Sequence, residues 1–378
     1  MSEKTFRERI LDTFQRNKVD KIVWQPRLDY YINVNRARGT LPEKYRDKNI
    51  IEIHRDLNAS IRYYWGLPIP QNYLIRRYRD TIKITEIKNG DETTVVYDTS
   101  KGQLISRIRT TEFGCSSHIV EYPVKKIDDL DIIEYMLQNS VVEFNYEFYE
   151  TARQDLTDLG EIQMGIGHSP LQSLIIDYMG FENTIYALTD SPERINRFLN
   201  EVDELQDETF EIIEKCPVKI INFGENIDSN LISPDIFKKY LIPYYIKRVS
   251  QLQKRGKFCH IHMDGKLKPL LPYIRETGFD GIEAATPFPQ GDIALEELKS
   301  AIGNMILLDG IPAILFLPNY PLSELENCVQ KILDLFSPNL ILGISDELPP
   351  DADIDRVKFI SELIDNKTKT KYEENIAC

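Results

Sequence analysis

The sequence predicts an α/β protein: a single (β/α)8 TIM barrel with an N-terminal extension and an inserted β-meander. From about residue 125 onward, helical patterns alternate with short apolar strands, which is typical of repeated βα units around a parallel sheet. No GxGxxG sequence follows any of these strands, which disfavours an open doubly wound sheet. The 378 residues are enough for one large domain. We therefore expect residues 1–378 to form one barrel domain.

The first third of the chain is less regular. Residues 6–16 predict an amphipathic helix, and the apolar run at 21–24 predicts a buried strand. Residues 25–73 are rich in Arg, Tyr and Pro and predict an irregular N-terminal segment. Residues 80–112 alternate polar and apolar side chains around the turn Asn89-Gly90-Asp91. This alternation predicts hairpin strands, and hence an inserted β-meander.

The rest of the chain supplies the barrel. The predicted helices span 126–138, 170–188, 191–215, 234–255, 266–277, 293–302, 322–335 and 353–366. The predicted strands span 162–166, 218–223, 258–263, 281–285, 305–308 and 340–344. Together with the strand near Trp24 these make seven, and we expect the eighth between residues 141 and 148.

Composition excludes several classes of function. The net charge of −14 and the lack of a basic cluster argue against nucleic-acid binding and against an anionic membrane surface. No apolar run approaches the roughly 20 residues that span a bilayer. The five cysteines are scattered, and the N-terminus has no signal-peptide core. We therefore expect a cytoplasmic protein without membrane or nucleic-acid partners.

The run Phe258 to Gly265 is the strongest candidate for chemistry. His260 and His262 are one residue apart on a predicted strand, so their side chains point to the same face. Two imidazoles beside a turn suit metal binding at the mouth of a barrel. The alternative is that one histidine packs inside while the other bonds to a backbone carbonyl. Other polar residues lie near or just after the ends of predicted strands: His168, Glu225, Glu283, Asp309 and Asp346. Glu225, Asp309 and Asp346 have an alternative role as helix caps.

Several motifs, spread over nearly the whole chain, resemble one enzyme superfamily. They are Arg7-Glu8-Arg9-Ile10-Leu11, Val19 to Trp24, Gln25 to Tyr31, Gly39 to Arg46, Glu121-Tyr122-Pro123-Val124, Asp128-Asp129-Leu130, Ile232 to Phe237 and Leu348 to Asp353. The sequence resembles the uroporphyrinogen decarboxylase superfamily, and within it the corrinoid-dependent methyltransferases of O-demethylase systems. The resemblance implies a TIM-barrel enzyme, a corrinoid protein as partner and a small methylated substrate.

The resemblance also implies a metal site. Zinc-dependent members carry a His-x-Cys pair on one barrel strand and a Cys after a later strand. His260 matches the histidine, whereas His262 and Asp346 stand at the two cysteine positions. Zn²⁺ accepts imidazole and carboxylate ligands. We therefore expect Zn²⁺ to be bound by His260, His262 and Asp346, with Glu225 completing the set, and His260, Asp346 and Glu225 to be catalytic.

Substrate contacts are expected from five residues at the expected barrel mouth: Arg27, Asp29, Tyr30, Tyr31 and His168. The implied reaction moves a methyl group from a methyl ether, most simply an aryl methyl ether, to the cob(I)alamin of a separate corrinoid protein. Three alternatives remain: methyl transfer between a corrinoid protein and tetrahydrofolate without zinc, decarboxylation of a porphyrinogen, and a non-catalytic barrel that binds a corrinoid partner.

Overall fold

The structure is a computed structural model that describes residues 3–67, 70–111 and 113–377, with backbone only for 368–377. The chain forms two compact units. The larger comprises Met1–Gln71, Glu147–Gly165 and Val218–Cys378, and the smaller comprises Asn72–Tyr146 and Ile166–Pro217.

The strands, in chain order, are β1 (Val23–Trp24), β2 (Leu74–Tyr78), β3 (Ile82–Asn89), β4 (Glu92–Thr99), β5 (Gly102–Thr110), β6 (Ser117–Glu121), β7 (Ser140–Phe144), β8 (Gln163–Ile166), β9 (Ile220–Ile227), β10 (Phe258–Met263), β11 (Gly281–Glu283), β12 (Ile306–Pro312) and β13 (Leu340–Ser345). The α-helices are α1 (Phe6–Phe14), α2 (Asp29–Arg38), α3 (Ile50–Asp56), α4 (Leu130–Gln138), α5 (Tyr146–Leu156), α6 (Pro170–Ser173), α7 (Phe181–Asp190), α8 (Pro192–Leu205), α9 (Asp207–Lys215), α10 (Pro234–Ile236), α11 (Ile242–Gln253), α12 (Leu295–Ile302), α13 (Leu322–Phe336) and α14 (Asp355–Ala377). Segments of 3-10 helix cover Glu43–Tyr45, Ile127–Asp129, Leu271–Thr277 and Ala313–Phe316, and π-helical turns cover Leu174–Tyr178 and Phe237–Leu241.

The larger unit is built on a seven-stranded sheet in the order β1-β13-β12-β11-β10-β9-β8. The strands from β1 to β9 in this order pair in parallel, as the alternation of helices and strands predicted. Because parallel strands end at one edge of a sheet, residues that follow them in sequence gather there. The predicted strand 258–263 is confirmed at both ends by β10.

The predicted eighth barrel strand is not where the sequence placed it. β7 covers the predicted region, but it pairs antiparallel with β2 in the smaller unit. The segment that lies next to β1 is instead the one at Ser60. Its backbone N–H donates a hydrogen bond to the carbonyl oxygen of Trp24 at 2.8 Å. The prediction on 141–148 was wrong because a short strand pattern does not reveal its partner strand. A closed eight-stranded barrel stays a prediction.

An apolar layer fills the amino-terminal end of the parallel sheet. Helix α1 places Ile10 and Phe14 against fully buried isoleucines of three strands: Ile220, Ile306 and Ile341. The helix begins with a capping box, in which the Thr5 hydroxyl accepts a hydrogen bond from the N–H of Glu8. We call this set of packed side chains the apolar base.

The smaller unit contains the predicted β insertion. β3, β4, β5 and β6 form an antiparallel meander, so the alternating pattern in 80–112 did predict strands, and β6 adds a fourth beyond it. The predicted irregular segment 25–73, in the larger unit up to Gln71, contains helices α2 and α3. Pro68, Ile69 and Glu112 of these two segments lie outside the described residues.

No helix in the described parts of the chain is long and apolar enough to cross a membrane.

Candidate active site

Strand register brings His262 next to Glu283. In the parallel pair β10–β11, His262 lies opposite Glu283 and His260 lies opposite Gly281. Side chains directly opposite on neighbouring strands share a face, so the imidazole of His262 and the carboxylate of Glu283 lie side by side on one face of the sheet. Both are buried, with Glu283 fully so.

Asp346 completes a group of three possible metal ligands. It follows β13 directly, and the end of that strand is held by the Ser345 hydroxyl, which accepts a hydrogen bond from the N–H of Gly310 at 3.0 Å. One ligand atom from each of His262, Glu283 and Asp346 lies within 4.8 Å of the others. We call this group the carboxylate–histidine cluster.

Glu283 is the most heavily bonded member. Its Oε2 accepts hydrogen bonds from the Tyr63 hydroxyl and from the Asn222 amide, both at 2.6 Å. Its Oε1 lies 3.1 Å from Nη1 of Arg62. Burial disfavours the charged carboxylate, but the positive charge of Arg62 and hydrogen bonds with His260 and His262 outweigh it and hold the pKa of Glu283 well below its usual value.

Arg62 ties two buried carboxyl groups together. Its Nη1 lies 2.7 Å from Oδ2 of Asp309 as well as 3.1 Å from Glu283. Burial raises the pKa of Asp309, although the charge of Arg62 acts against this. Space for Asp309 depends on Gly343, because a Cβ at that position would lie 2.2 Å from the Asp309 Oδ1. The sequence Leu342-Gly343-Ile344 therefore reflects the need to fit a buried carboxyl group beside β13.

The electrostatic environment raises the pKa of His262. Burial alone would lower it, but the hydrogen bond and negative charge of Glu283 raise the pKa of His262 to about 8. The neighbouring imidazole behaves differently, because burial lowers the pKa of His260. Nδ1 of His260 lies 3.0 Å from the Asn222 amide and 3.3 Å from Glu283. Its Nε2 is buried without a hydrogen-bond partner in the described part of the chain.

The predicted metal residues are thus only partly brought together. His262 and Asp346 belong to the carboxylate–histidine cluster; these are the positions where the sequence departs from the family's thiolates. His260 lies two residues before His262 on β10 and contacts the cluster through Glu283. Glu225 is not brought into the cluster, since its carboxylate accepts a hydrogen bond from the Tyr245 hydroxyl of α11 at 2.9 Å. The ligand and catalytic roles of all four stay predictions.

The predicted substrate residues are spread out. Arg27 is at the cluster: Nη1 is bonded to Asp346, and Nη2 lies 3.0 Å from Oε1 of Glu347. Asp29 is half-buried, and burial together with the charge of Glu347 raises its pKa to about 6. Tyr30 is half-buried on α2, and Tyr31 is packed away with 4% exposure.

His168 belongs to the smaller unit, where its Nδ1 lies 2.9 Å from Oδ2 of Asp177. Its predicted role in substrate binding stays a prediction.

The cluster fits a divalent cation. One imidazole and two carboxylates are a donor set that Zn²⁺ accepts. Four carboxyl groups, from Glu283, Asp309, Asp346 and Glu347, are paired with only two guanidinium groups, from Arg27 and Arg62. With Asp309 protonated, the three remaining carboxylates are balanced by the two guanidinium groups and a protonated His262, whose pKa is raised to about 8. A cation bound to neutral His262 would supply the positive charge that the proton supplies otherwise. Arg27 would then share Asp346 with the ion.

Sequence reasoning missed two residues of this site, Arg62 and Asn222, and offered Tyr63 only as one of several aromatic residues that could line a pocket. Arg62 and Tyr63 lie in the segment that was predicted to be irregular, and no periodicity singles them out. Asn222 could have been found, because it lies on the predicted strand 218–223 and pairs in register with His260. Glu283 was placed at a strand end, but its role depends on strand register, which the sequence does not reveal.

A sheet of parallel strands with charged groups at its carboxyl edge is the arrangement of α/β enzymes. The uroporphyrinogen decarboxylase family model matches residues 114–366. The chain therefore belongs to the uroporphyrinogen decarboxylase family. No curated protein matches its sequence.

Among solved structures, a methyltransferase from Methanosarcina mazei is similar, with 14% identity, a TM-score of 0.59, and coverage of 96% of this chain and 99% of that chain. A B12-independent methionine synthase from Shewanella sp. W3-18-1 has 11% identity, a TM-score of 0.45, and coverage of 90% and 92%. At 14% identity, the similarity to the methyltransferase shows a shared fold.

Proposed function

We propose that this protein is a zinc-dependent methyltransferase that moves a methyl group from an aryl methyl ether to cobalamin carried by a separate corrinoid protein. The main observation in favour is the carboxylate–histidine cluster at the carboxyl ends of parallel strands in a chain of this family. The fold shared with a methyltransferase supports methyl transfer as the reaction class.

The chain's own residues would hold the metal and shape its surroundings. His262, Glu283 and Asp346 would be the ligands. Zinc bound there would supply a Lewis acid for the ether oxygen, a task that suits imidazole and carboxylate ligands because they donate less charge than thiolates. Asn222 and Tyr63 fix one oxygen of Glu283 by hydrogen bonds. Such outer contacts orient ligands and tune their basicity.

Positive charge next to the cluster supports the same reaction. A methyl ether leaves a phenoxide when its methyl group departs, so the site must stabilise negative charge on that oxygen. Arg27 is 19% exposed and reaches both Asp346 and Glu347. Its guanidinium group is therefore held at the open side of the cluster, where a substrate oxygen would enter.

The test combines metal analysis with a transfer assay. We expect the purified protein to contain stoichiometric zinc and to transfer methyl groups from methoxy-substituted benzenes to a cobalamin carrier protein. His262→Ala should lose both zinc and transfer while keeping the circular dichroism spectrum of the wild type, and His260→Ala should lose transfer without unfolding. His118→Ala, at an exposed histidine of the smaller unit, is the control and should change nothing.

Three outcomes would contradict the proposal. Full transfer activity in zinc-free protein would reject the metal's role. Methyl transfer only between the carrier and tetrahydrofolate would favour that reaction instead. Release of CO₂ from uroporphyrinogen would favour decarboxylation.

A further inference from the structure

A small cavity lies entirely within the smaller unit, where β2, the β-meander, helix α4 and the π-helical turn Leu174–Tyr178 contribute to its walls. Its volume is about 200 Å³. An apolar cavity of about 150 Å³ can hold a molecule of the size of benzene, so this one has room for a small organic group. We call it the tyrosine cavity, because Tyr78, Tyr97 and Tyr178 line it.

The three tyrosines come from three separate elements. Tyr78 ends β2, Tyr97 lies on β4, and Tyr178 ends the π-helical turn. On β4, Tyr97 is two residues beyond the buried Val95 and lies opposite the buried Leu104 of β5. Because alternate residues of a strand share a face, the side chain of Tyr97 lies on the covered face of the meander.

The three phenol rings are neutral and close to one another. Each side chain is half-buried. Burial raises the pKa of Tyr97 and that of Tyr178, and the neighbouring Tyr78 contributes to the increase at both. The face of an aromatic ring carries partial negative charge, and it attracts a cation most strongly where water is partly excluded. The aromatic walls of this cavity therefore favour a cationic ligand.

Asp177 is the one charged side chain among the described residues that line the cavity. It precedes Tyr178 in the π-helical turn, a rare conformation that is frequent at functional sites. Its side chain is 40% exposed, with Oδ2 at 2.9 Å from Nδ1 of His168, whereas Oδ1 makes no hydrogen bond within the described part of the chain. Besides burial, the negative charge of Asp177 raises the pKa of both Tyr97 and Tyr178, so this charge acts at both rings.

Two more charged side chains lie nearby without lining the cavity. Besides burial, Glu86 contributes to the raised pKa of Tyr97, whereas the positive charge of Arg76 acts in the opposite direction on Tyr78 and Tyr178. Arg76 is exposed, so solvent screens its charge. Because these two outer charges have opposite signs, Asp177 sets the sign of the cavity.

The remaining lining side chains are all apolar. Ile133, Met136 and Leu137 have the spacing of one face of α4. An ammonium group with N–H donors would place some of them against these walls, and an unpaired donor is costly away from water. A quaternary ammonium group has no N–H, and its alkyl groups suit apolar walls.

We propose that the tyrosine cavity binds a quaternary ammonium group, such as the trimethylammonium head of choline. The three phenol rings and Asp177 attract the positive charge, and the apolar side chains contact the methyl groups. Aromatic side chains around a quaternary ammonium are a recurrent means of recognising it. This binding site goes beyond the proposed methyl transfer and does not rest on it.

The experiment compares choline with 3,3-dimethylbutanol, in which a carbon atom replaces the nitrogen, by titration calorimetry on the full chain. We expect choline to bind about tenfold more tightly at low salt, and this difference to shrink as salt is added. Ethanolamine, the primary ammonium of the same charge, should bind more weakly than choline. Calorimetry needs no cobalamin carrier, so its outcome is independent of the transfer assay. Equal affinities for choline and its isostere, tighter binding of ethanolamine, or no binding of choline would overturn the proposal.

Variants locate the cation. Tyr97→Leu should weaken choline binding about threefold and Asp177→Asn about fivefold, whereas the uncharged isostere should bind Asp177→Asn as it binds the wild type. Tyr97→Phe keeps the ring and should keep the affinity for choline. The matched controls are Tyr186→Leu and Asp190→Asn, at exposed residues of the same unit that do not line the cavity.

A loss of choline affinity in the controls equal to that in Tyr97→Leu and Asp177→Asn would place the cation elsewhere and reject the assignment. Asp177→Asn changes a partly exposed side chain by one atom, so it keeps the test decisive even where Tyr97→Leu does not fold. Wild-type choline affinity in folded Asp177→Asn protein would likewise contradict the proposal.

Discussion

The two ends of the parallel sheet are both buried, but they are built from opposite kinds of side chain. At the amino end, Ile220, Ile306 and Ile341 are fully buried in the apolar base. At the carboxyl end, Arg62 and Glu283 are also fully buried, yet both are charged. Apolar burial stabilises a fold, whereas a buried ion pair often contributes little after the cost of desolvation. The contrast is what we expect if the apolar base provides stability and the charged end carries the proposed function.

Strand β10 shows how sharply the two environments meet. Phe258 packs against the apolar base, and His262, only four residues later, belongs to the carboxylate–histidine cluster. His260 lies between them, with its ring centre 6.2 Å from that of Phe14 and its Nδ1 3.3 Å from Glu283. A division of roles between the two ends can therefore be tested by substitutions a few residues apart.

The largest effect is expected at the charged end. Glu283→Gln removes one of the two carboxyl groups that pair with Arg62, and breaking a buried pair typically costs about 3–5 kcal/mol of unfolding free energy. Loss of a ligand should also reduce methyl transfer at least about 100-fold, since even outer contacts of a metal site contribute 10–100-fold. Urea unfolding and the transfer assay measure the two effects.

Asp346→Asn is the matched control for that variant. The Asp346 side chain is 36% exposed, so its pair with Arg27 is screened by solvent. We expect a comparable loss of activity with less than about 1 kcal/mol loss of stability. Similar losses of stability in both variants would contradict the contrast between a buried and an exposed carboxylate.

The second effect concerns stability alone. Ile306→Ala empties part of the apolar base, and such truncations cost about 2–5 kcal/mol. We expect about 3 kcal/mol in urea unfolding, with zinc content and transfer rate unchanged below the midpoint. Ile341→Val, which removes one methylene group, should cost about 1 kcal/mol. Loss of zinc from folded Ile306→Ala protein would show that the two ends are not independent.

The difference between the two ends also explains what could be predicted from the sequence. Apolar strands reveal themselves by short hydrophobic runs, so β10 was predicted residue by residue and the other strands of the sheet were located, although β9 and β12 extend past their predicted carboxyl ends. His262 was found because it lies on such a strand, and Asp346 because it follows one. Arg62 was not, because a buried arginine in a segment without periodicity has no local signature. The partner of β7 and the position of Glu283 depend on pairing between distant segments, which local patterns do not specify.

A third expected effect compares two buried histidines. Glu283 raises the pKa of His262, whereas His54 on α3 has no carboxylate partner among the residues that the structure describes, and burial lowers the pKa of His54 to about 4. The ordinary pKa of histidine is 6.5. Below that pH, the unfolded chain binds a proton at His54 that the folded protein does not bind. Stability contributed by neutral His54 is therefore complete above pH 6.5 and decreases as the pH falls toward 4. The loss between pH 7 and pH 5 should be about 2 kcal/mol.

His54→Leu tests this, since leucine has no proton to bind. Urea unfolding at pH 7 and pH 5 should show a decrease about 2 kcal/mol smaller than in the wild type. His118→Leu, at an exposed histidine, should leave the wild-type dependence in place. An unchanged pH dependence in His54→Leu would show that His54 is not kept neutral by burial.

The smallest effect is expected at the start of α1, the helix that covers the apolar base. The Thr5 hydroxyl accepts from the N–H of Glu8 at 3.1 Å, and Oε2 of Glu8 accepts from the N–H of Thr5 at 2.8 Å. Thr5→Ala removes the first of these bonds and should cost about 1 kcal/mol in urea unfolding, whereas Thr5→Ser keeps the hydroxyl and should cost almost nothing. Because α1 contacts the base and not the carboxylate–histidine cluster, zinc content and transfer should stay at wild-type values in both variants. A drop in either quantity for folded Thr5→Ala protein would mean that the base positions the cluster, and that stability and function are not divided between the ends of the sheet.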